Sequence, residues 1–184
     1  MSFLSNAKGH FCTITRHKLL VMHECFQVGL YKQGLLHDLS KYTLTEFIPG
    51  IKYYQGTRSP NAAEREDIGY STAWLHHKGR NKHHLEYWTD ITDDSSKGLM
   101  GVEMPPRYVI EMFLDRIAAS KVYAGSNYTD RTALEYYQNK NEYAYIHPRT
   151  RKQLEKLLHM LAEDGEAKTF AYIKKKIVPK LKSR

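Results

Sequence analysis

The sequence predicts an all-α fold, a single-domain helical bundle of about seven to nine helices. Apolar residues recur at helical spacing in several segments. The first such segment covers about residues 13–28, and its core-facing stripe consists of Ile14, Val21, Cys25 and Val28. No segment shows the convincing alternation of apolar and polar residues that is typical of a strand. The chain length of 184 residues suits one domain with its own core.

Local signals place the next helices. Thr43 and Glu46 have the spacing of a capping box, which predicts a short helix that Pro49 and Gly50 soon disturb. Ser59-Pro60 has the form of an N-cap followed by the first helical residue, and it predicts one helix that runs to about residue 78.

The second half of the chain follows the same pattern. Gly79-Arg80-Asn81 interrupts the preceding helix before a shorter turn that ends near Trp88, and residues 93–101 read as a loop. Pro105-Pro106 opens the best-defined helix, which Gly125 ends. Further helices are predicted over about 130–141, 148–162 and 166–177.

Composition indicates a soluble globular protein, with 41% hydrophobic and 26% charged residues. No apolar run approaches the roughly 18 residues that a membrane span needs, and the N-terminal segment lacks the apolar centre of a secretory signal. Cys12 and Cys25 do not make a disulfide framework. We therefore expect a cytoplasmic protein without membrane partners.

The net charge of +8 is concentrated at the C-terminus. Residues 167–184 hold no acidic residue and seven basic ones, which leaves residues 1–166 near +1. The prediction is a helical domain over 1–166 followed by a basic helix end or tail over 167–184. Two interpretations of the tail stay open, a solvated helix end or a surface for nucleic acid or another phosphate-rich partner. The basic residues are Lys168, Lys174, Lys175, Lys176, Lys180, Lys182 and Arg184.

The adjacent pair His37-Asp38 carries the strongest chemical signal. Neutral imidazole and ionised carboxylate are ligands for a divalent metal. Lys41 lies about one helical turn further on, where its ammonium can hold an anionic oxygen beside the ion. The alternative is structural: Asp38 caps a helix, His37 packs against it and Lys41 is merely exposed. The residues alone leave the two interpretations about level.

Two single residues extend this signal. His17 lies on the first predicted helix, and Asp115 lies in the middle of a largely apolar one. A buried carboxylate needs a cation or hydrogen-bond donors. For Asp115 the partner is either a metal or a structural ion pair, and a lone helical histidine such as His17 is more often a packed or surface residue than a ligand.

The segment from His76 to His84 holds four histidines in nine residues, together with the cations Lys78, Arg80 and Lys82. Histidine binds metal, and Lys and Arg bind phosphate. The mixture favours a site for an anionic substrate beside a metal, the alternative being a charged loop between apolar anchors. The sequence does not decide which member of His76/His77 or of His83/His84 faces such a site.

The order of these residues resembles the metal-binding signature of the HD-domain superfamily, which consists of all-helical metal-dependent phosphohydrolases. The resemblance covers about residues 13–125 and rests on the order His17, His37-Asp38, His77 and His84, and Asp115. The run from His37 to Lys41 is similar to His-Asp-x-Gly-Lys, with Ser40 in place of Gly. More narrowly, the chain resembles an uncharacterised bacterial and phage family with the runs His-Asp-Leu-Ser-Lys and His-His-Lys-x-Arg-Asn-x-His-His, and that resemblance supplies no activity.

The resemblance implies a metal-dependent phosphohydrolase acting on a nucleotide or other small phosphate ester with a metal-activated water. One or two divalent ions, Mn, Fe, Co, Ni, Zn or Mg, are expected. Asp38 would also orient the water, while Lys41 and Arg80 would stabilise charge on the phosphoryl oxygens. The expected metal ligands are His17, His37, Asp38, His77, His84 and Asp115.

Two alternatives remain at this level. A few relatives of the fold use a dinuclear iron centre for oxygen-dependent cleavage, and they share a similar His-Asp run. A non-catalytic helical module whose basic C-terminus binds nucleic acid is the other. The sequence leaves the oligomeric state open.

Overall fold

A computed structural model describes residues 2–94, 96, 98–139 and 145–181, and it confirms the all-α prediction. Most of the described chain is helical, and a small two-stranded hairpin is added. The helices are α1 (Phe3–Val28), α2 (Tyr31–Leu36), α3 (Leu44–Lys52), α4 (Pro60–Ile68), α5 (Thr72–Lys78), α6 (Pro106–Ala124), α7 (Thr132–Gln138), α8 (Pro148–Tyr172) and α9 (Val178–Leu181). Short 3₁₀ turns cover Leu39–Tyr42, Leu85–Trp88 and Gly125–Asn127, and a π-helical turn covers Ile173–Ile177.

Helix α6 is the centre of the bundle and packs against α1, α7 and α8. Its residues Phe113, Leu114 and Ile117 are fully buried, as are Leu154 and Leu158 of α8. Each such side chain contributes about 1.5–3 kcal/mol by leaving water. The core therefore fixes α6 firmly, and α6 carries two of the acidic residues of the site described below.

Helix α1 begins at Phe3, ten residues before the predicted start, and ends at Val28 as predicted. The Ser2 hydroxyl accepts a hydrogen bond from the Ser5 amide, which caps the helix. His10, which the apolar stripe does not include, is buried against the Phe47 ring of α3. The early turns of α1 are thus held by a polar residue packed on a neighbouring helix, a contact that an apolar periodicity does not signal.

Helix α2 approaches α1 closely at Gly34. A Cβ atom at this position would lie 2.9 Å from the Cβ of Cys25 and 3.1 Å from the carbonyl oxygen of Met22. These distances are shorter than ordinary van der Waals contact, so only glycine fits without a shift of the backbone. The close approach carries the end of α2, and with it His37, towards α1.

The prediction for α3 was wrong in three respects. Thr43 makes no side-chain cap, because its hydroxyl donates to the Ser40 carbonyl instead. Glu46 turns inward to two histidines and does not complete a capping box. The helix also continues through Pro49 to Lys52.

The single helix predicted from Ser59-Pro60 to about residue 78 is two helices. It breaks at Gly69, whose φ of 84° is readily adopted only by glycine. Ser71 then caps α5 by accepting from the Trp74 amide. Glu64 of α4 accepts from the Ser71 hydroxyl, so a polar contact fixes the angle between the two helices.

A hairpin forms around the predicted loop: Thr89–Ile91 (β1), which precedes that loop, pairs with Leu99–Gly101 (β2), which forms its end. Strands of three residues are too short to show alternation in a sequence. Helix α6 has the predicted bounds, between Pro106 and Gly125. The predicted helix over 130–141 is shorter, since α7 ends at Gln138 and residues 140–144 lie outside the described residues.

The helices predicted over 148–162 and 166–177 form one long element with a kink at Gly165, followed by the π-helical turn. Phe170, Ile173 and Val178 belong to the buried core, while Lys174 to Lys176 are exposed. Lys182 and Arg184 lie outside the described residues. The division of the chain at residue 166 stays a prediction. Among the described helices, none combines the length and the apolar character needed to cross a bilayer.

A partly buried ionic cluster links α1, α6 and α8. Lys121 Nζ lies 2.9 Å from Glu24 Oε1 and 2.6 Å from Glu166 Oε1. Burial raises the pKa of Glu24 to about 7, although the neighbouring Lys121 ammonium opposes that shift.

Candidate metal centre

Four parts of the chain bring histidines and carboxylates together in the interior. Helix α1 supplies His17, and the turn after α2 supplies His37 and Asp38. Helix α6 supplies acidic residues one helical turn apart. Helix α5 and the segment after it supply the remaining histidines. The complete set is His17, His37, Asp38, His77, His83, His84, Glu111 and Asp115.

The first donor group consists of His17, His37, Asp38 and Asp115, and its ligand atoms all lie within 4.8 Å of one another. Asp115 Oδ1 is 2.9 Å from His17 Nε2 and 3.5 Å from His37 Nε2. The two imidazole Nε2 atoms are 3.4 Å apart. Asp38 Oδ2 is 3.4 Å from His37 Nε2 and 3.8 Å from His17 Nε2. Ligands bonded to one ion at about 2.0–2.2 Å are separated by about 2.8–3.6 Å, depending on the coordination geometry, so the spacing suits a shared cation.

The second donor group consists of Asp38, His77, His83 and His84, again within 4.8 Å of one another. Asp38 uses its other oxygen here, since Oδ1 lies 3.2 Å from His77 Nε2 and 3.3 Å from His83 Nε2. His84 Nε2 is 2.9 Å from His77 Nε2. The carboxylate of Asp38 is therefore shared, with one oxygen towards each donor group.

The backbone at Asp38 is unusual and explains how adjacent residues reach one site. Among the described residues, Asp38 is the non-glycine residue with a positive φ, 55°. Asp38 occupies the N-cap position of the 3₁₀ turn over Leu39–Tyr42, but its side chain makes no capping hydrogen bond there. Lys18 Nζ donates to the carbonyl oxygen of His37 at 2.8 Å and to that of Leu35 at 2.9 Å, and these bonds hold the turn against α1.

Two further carboxylates hold the histidines in orientation. Glu111 Oε1 lies 3.0 Å from His37 Nδ1 and 3.3 Å from His83 Nδ1. Glu46 Oε2 lies 2.7 Å from His77 Nδ1. An Nδ1–H that donates to a carboxylate leaves Nε2 unprotonated for a metal. All three Nε2 atoms point into the donor groups.

The remaining predicted residues have different positions. Lys41 Nζ lies 2.6 Å from Asp38 Oδ2, and its side chain is 28% exposed. Arg80 is exposed and donates to the carbonyl oxygen of His76, so the structure does not bring it into either donor group. His76 pairs with Glu46 Oε1 at 2.6 Å and also stays outside both.

The residues present fit a divalent metal. Both carboxylate oxygens of Asp38 and the Nε2 atom of His83 are buried and make no well-directed hydrogen bond. Such atoms lose their hydration on folding and need another partner. Imidazole nitrogen and carboxylate oxygen are donors that first-row divalent metals accept. A cation bound between these atoms would supply the missing partner.

The electrostatics point the same way. Burial raises the pKa of Asp38, but positive charge on His37 and Lys41 outweighs burial and holds that pKa well below its usual range. Burial likewise opposes protonation of His37 and His83, and the neighbouring carboxylates overcome it, raising the pKa of His83 to about 10. Burial and the cationic His83 hold the pKa of His84 well below its usual range. Without metal, protonated histidines therefore supply the positive charge that the carboxylates require.

Sequence reasoning missed three residues of this region. The choice between His83 and His84 was open, and the structure brings both into the second donor group. Glu111 lies four residues before Asp115 on α6, a spacing that places both on one helix face and could have revealed it. Glu46 was assigned to a capping box. No local pattern separates that assignment from a contact with His77.

Fold and site together define an all-helical protein with a buried His/Asp cluster able to hold metal. The chain belongs to a family of unknown function (DUF5662), which matches residues 6–160. No curated protein and no solved structure matches the chain.

Proposed function

We propose that this chain is a metal-dependent phosphohydrolase that acts on a nucleotide or another small phosphate ester. The observation that carries the proposal is the carboxylate of Asp38, shared between two four-residue donor groups beside the Lys41 ammonium. The order of the ligands along the chain, which resembles that of HD-domain phosphohydrolases, supports the same activity. Divalent ions held by the two donor groups would supply the charge stabilisation that displacement at phosphorus needs.

Solvent access supports catalysis over a purely structural role. Structural metal sites are closed, whereas catalytic sites keep positions open for water and substrate. His37 and Asp38 are buried, but the side chain of Asp115 is 17% exposed and that of Lys41 is 28% exposed. Asp115 and Lys41 therefore give the cluster partial contact with solvent, and we expect an anionic substrate to approach from this side.

The bound ions, Lys41 and Arg80 would have different roles in phosphate-ester hydrolysis. Bound divalent ions supply Lewis-acid activation of water and of the phosphoryl group. Lys41 keeps its positive charge, because the nearby Asp38 carboxylate outweighs burial and raises the pKa of the ammonium. It would neutralise charge on a phosphoryl oxygen. Arg80, exposed at the end of α5, would bind a more distant phosphate of the substrate.

The donor types differ between the two groups and set a metal preference. The first offers two imidazoles and two carboxylates, and the second offers three imidazoles and one carboxylate. Imidazole suits Zn, Fe, Co and Ni, while carboxylate and water suit Mn and Mg. The second group should hold a nitrogen-preferring metal, and the first should accept Mn or Mg as well.

Activity measurements on a panel of phosphorylated metabolites test this function. The metal-free protein should be inactive, and added Mn, Co, Ni, Fe or Zn should restore phosphate release. His37→Ala and Asp38→Ala should lower turnover at least 100-fold, about 3 kcal/mol in barrier. His23→Ala, a change on the exposed side of α1, serves as the matched control and should retain activity. Full activity of both site variants would disprove the proposal.

The shared carboxylate also suits a second function, oxygen-dependent cleavage at a dinuclear iron centre. Iron content and oxygen consumption distinguish the two activities. Two redox-inert ions with phosphate release favour the hydrolase, and substrate-dependent oxygen uptake by an iron-loaded protein favours the oxygenase. The free thiols of Cys12 and Cys25 support a reducing, cytoplasmic setting for either activity.

A further inference from the structure

Glu111 contacts a histidine of each donor group. Its side chain is buried on α6, one turn before Asp115. A single oxygen, Oε1, lies 3.0 Å from His37 Nδ1 and 3.3 Å from His83 Nδ1. The rings of His37 and His83 are also close, with centroids 4.4 Å apart. One carboxylate oxygen thus serves both imidazoles.

The opposite ring nitrogens of these histidines face different donor groups. His37 Nε2 faces Asp38 Oδ2 and Asp115, and His83 Nε2 faces Asp38 Oδ1. A histidine that donates Nδ1–H to a carboxylate has its Nε2 lone pair free and made more basic. Glu111 therefore sets the tautomer and the ring direction of one ligand on each side of Asp38.

We propose that Glu111 is a positioning residue that couples the two metal sites, so that both lose affinity when its carboxylate is removed. The inference rests on the proposed function only in one respect, since both require that the two donor groups bind metal ions. An ion bound at either site would fix the histidine of that site. The fixed histidine would hold the Glu111 carboxylate through its hydrogen bond, and the carboxylate would then be in place for the histidine of the other site. Loading of the second ion then costs less ordering than loading of the first.

Glu46 provides the contrast. It is buried like Glu111, but its oxygens contact His76 and His77, and of these His77 alone is a donor-group residue. Its influence should be confined to the second donor group. The two glutamates therefore form a matched pair, equal in charge and burial and different in how many sites they support.

Cobalt titration of the metal-free, full-length protein tests the coupling. Equilibrium dialysis with elemental analysis gives the ions per chain, and the visible absorption of Co²⁺ reports the geometry of each site. The wild-type protein should bind two Co²⁺. Glu46→Gln should weaken one site by about 10–100-fold and leave the other unchanged, and Glu111→Gln should weaken both by about 10–100-fold.

A second variant guards against misfolding. Glu111→Asp keeps the charge but withdraws the oxygen by one methylene, so it should weaken both sites as well, and far-ultraviolet circular dichroism checks the fold of each variant. Wild-type affinity at both sites in Glu111→Gln, or loss confined to one site, would overturn the coupling while leaving the proposed function intact. A wild-type protein that binds no Co²⁺ would overturn both.

Discussion

Bound metal should raise the thermal stability of this protein, and the two donor groups determine by how much. The perturbation is removal of divalent ions with a chelator. Three buried polar atoms, the Asp38 oxygens and His83 Nε2, then return to a state without well-directed hydrogen bonds. The folded protein binds the ions through groups that only folding brings together, so their loss lowers the free energy of unfolding.

The magnitude follows from the number of sites. A ligand present at 100 times its dissociation constant stabilises the folded state by about 2.7 kcal/mol, so two ions contribute about 5 kcal/mol. For a domain of this size, 1 kcal/mol shifts the melting temperature by about 2–4 °C, which predicts a shift of about 10–20 °C. A single occupied site predicts about half of that shift.

Variants distinguish the two metal sites, because Asp38 belongs to both donor groups and each of the other ligands belongs to only one. Asp38→Ala should abolish the metal-induced shift. His17→Ala in the first group and His84→Ala in the second should each reduce it by at least half. His23→Ala removes an exposed imidazole that contacts Gln27, and it should behave like the wild-type protein.

Differential scanning fluorimetry of each variant, with chelator and then with excess Co²⁺ or Mn²⁺, measures the shift. The quantity compared is the metal-induced change within one variant, so any effect of the substitution on the metal-free fold cancels. An equal shift in Asp38→Ala and the wild-type protein would refute a centre built on the shared carboxylate.

Three further predictions concern the scaffold and the basic C-terminus. Gly34→Ala should destabilise the protein by about 1–3 kcal/mol in urea denaturation and weaken Co²⁺ binding, because the new Cβ would press on α1. The control is Gly79→Ala, whose new Cβ would have its nearest contact at 3.5 Å. Equal effects of the two substitutions would contradict this reasoning. Glu24 has a folded pKa raised to about 7, so its stabilising contribution is complete below about pH 4.5 and is lost as the pH rises through 7. Between pH 5 and 8 the metal-free wild-type protein should lose about 2–3 kcal/mol more stability than Glu24→Gln, and parallel pH profiles in urea would refute this. Reversing the exposed charges of Lys174, Lys175 and Lys176 to Glu should leave phosphate release unchanged. A wild-type protein that releases no phosphate but binds labelled RNA with a salt-dependent affinity, which this variant loses, would favour the nucleic-acid alternative.

Elements with strong local signals were predictable from the sequence. Helix α6 begins after Pro105 and ends before Gly125, because proline fixes the first turn and glycine ends the last. The break at Gly69 was missed because an isolated glycine in a helical pattern is usually tolerated. The positive φ of Gly69 and the hydrogen bond from Ser71 to Glu64 accompany the break, and periodicity signals neither of them.

The sequence predicted those residues of the candidate site that are adjacent in the chain or that follow the ligand order of the HD-domain superfamily. His17, His37, Asp38 and Asp115 come together as one group, and His77 and His84 come together with Asp38 in another. Glu111 and Glu46 were not identified, since they act on the far nitrogens of histidines and carry no ligand spacing of their own. A residue that orients a metal ligand is recognised by its contact with that ligand in the folded protein. The sequence pattern does not show such contacts.

The local costs gathered at Asp38 argue that the cluster exists to bind something. A non-glycine residue in the left-handed region costs about 1–2 kcal/mol. A buried polar atom without any partner costs about 1–3 kcal/mol. This cluster contains three atoms without a well-directed hydrogen bond, and ion pairs such as that of Asp38 with Lys41 compensate part of that cost. Together these costs are a sizeable share of the roughly 5–15 kcal/mol that holds a typical domain folded. Apolar side chains at these positions would remove that cost, whereas a divalent cation between the donor groups offsets it directly, because it pairs with the Asp38 oxygens and His83 Nε2 at once.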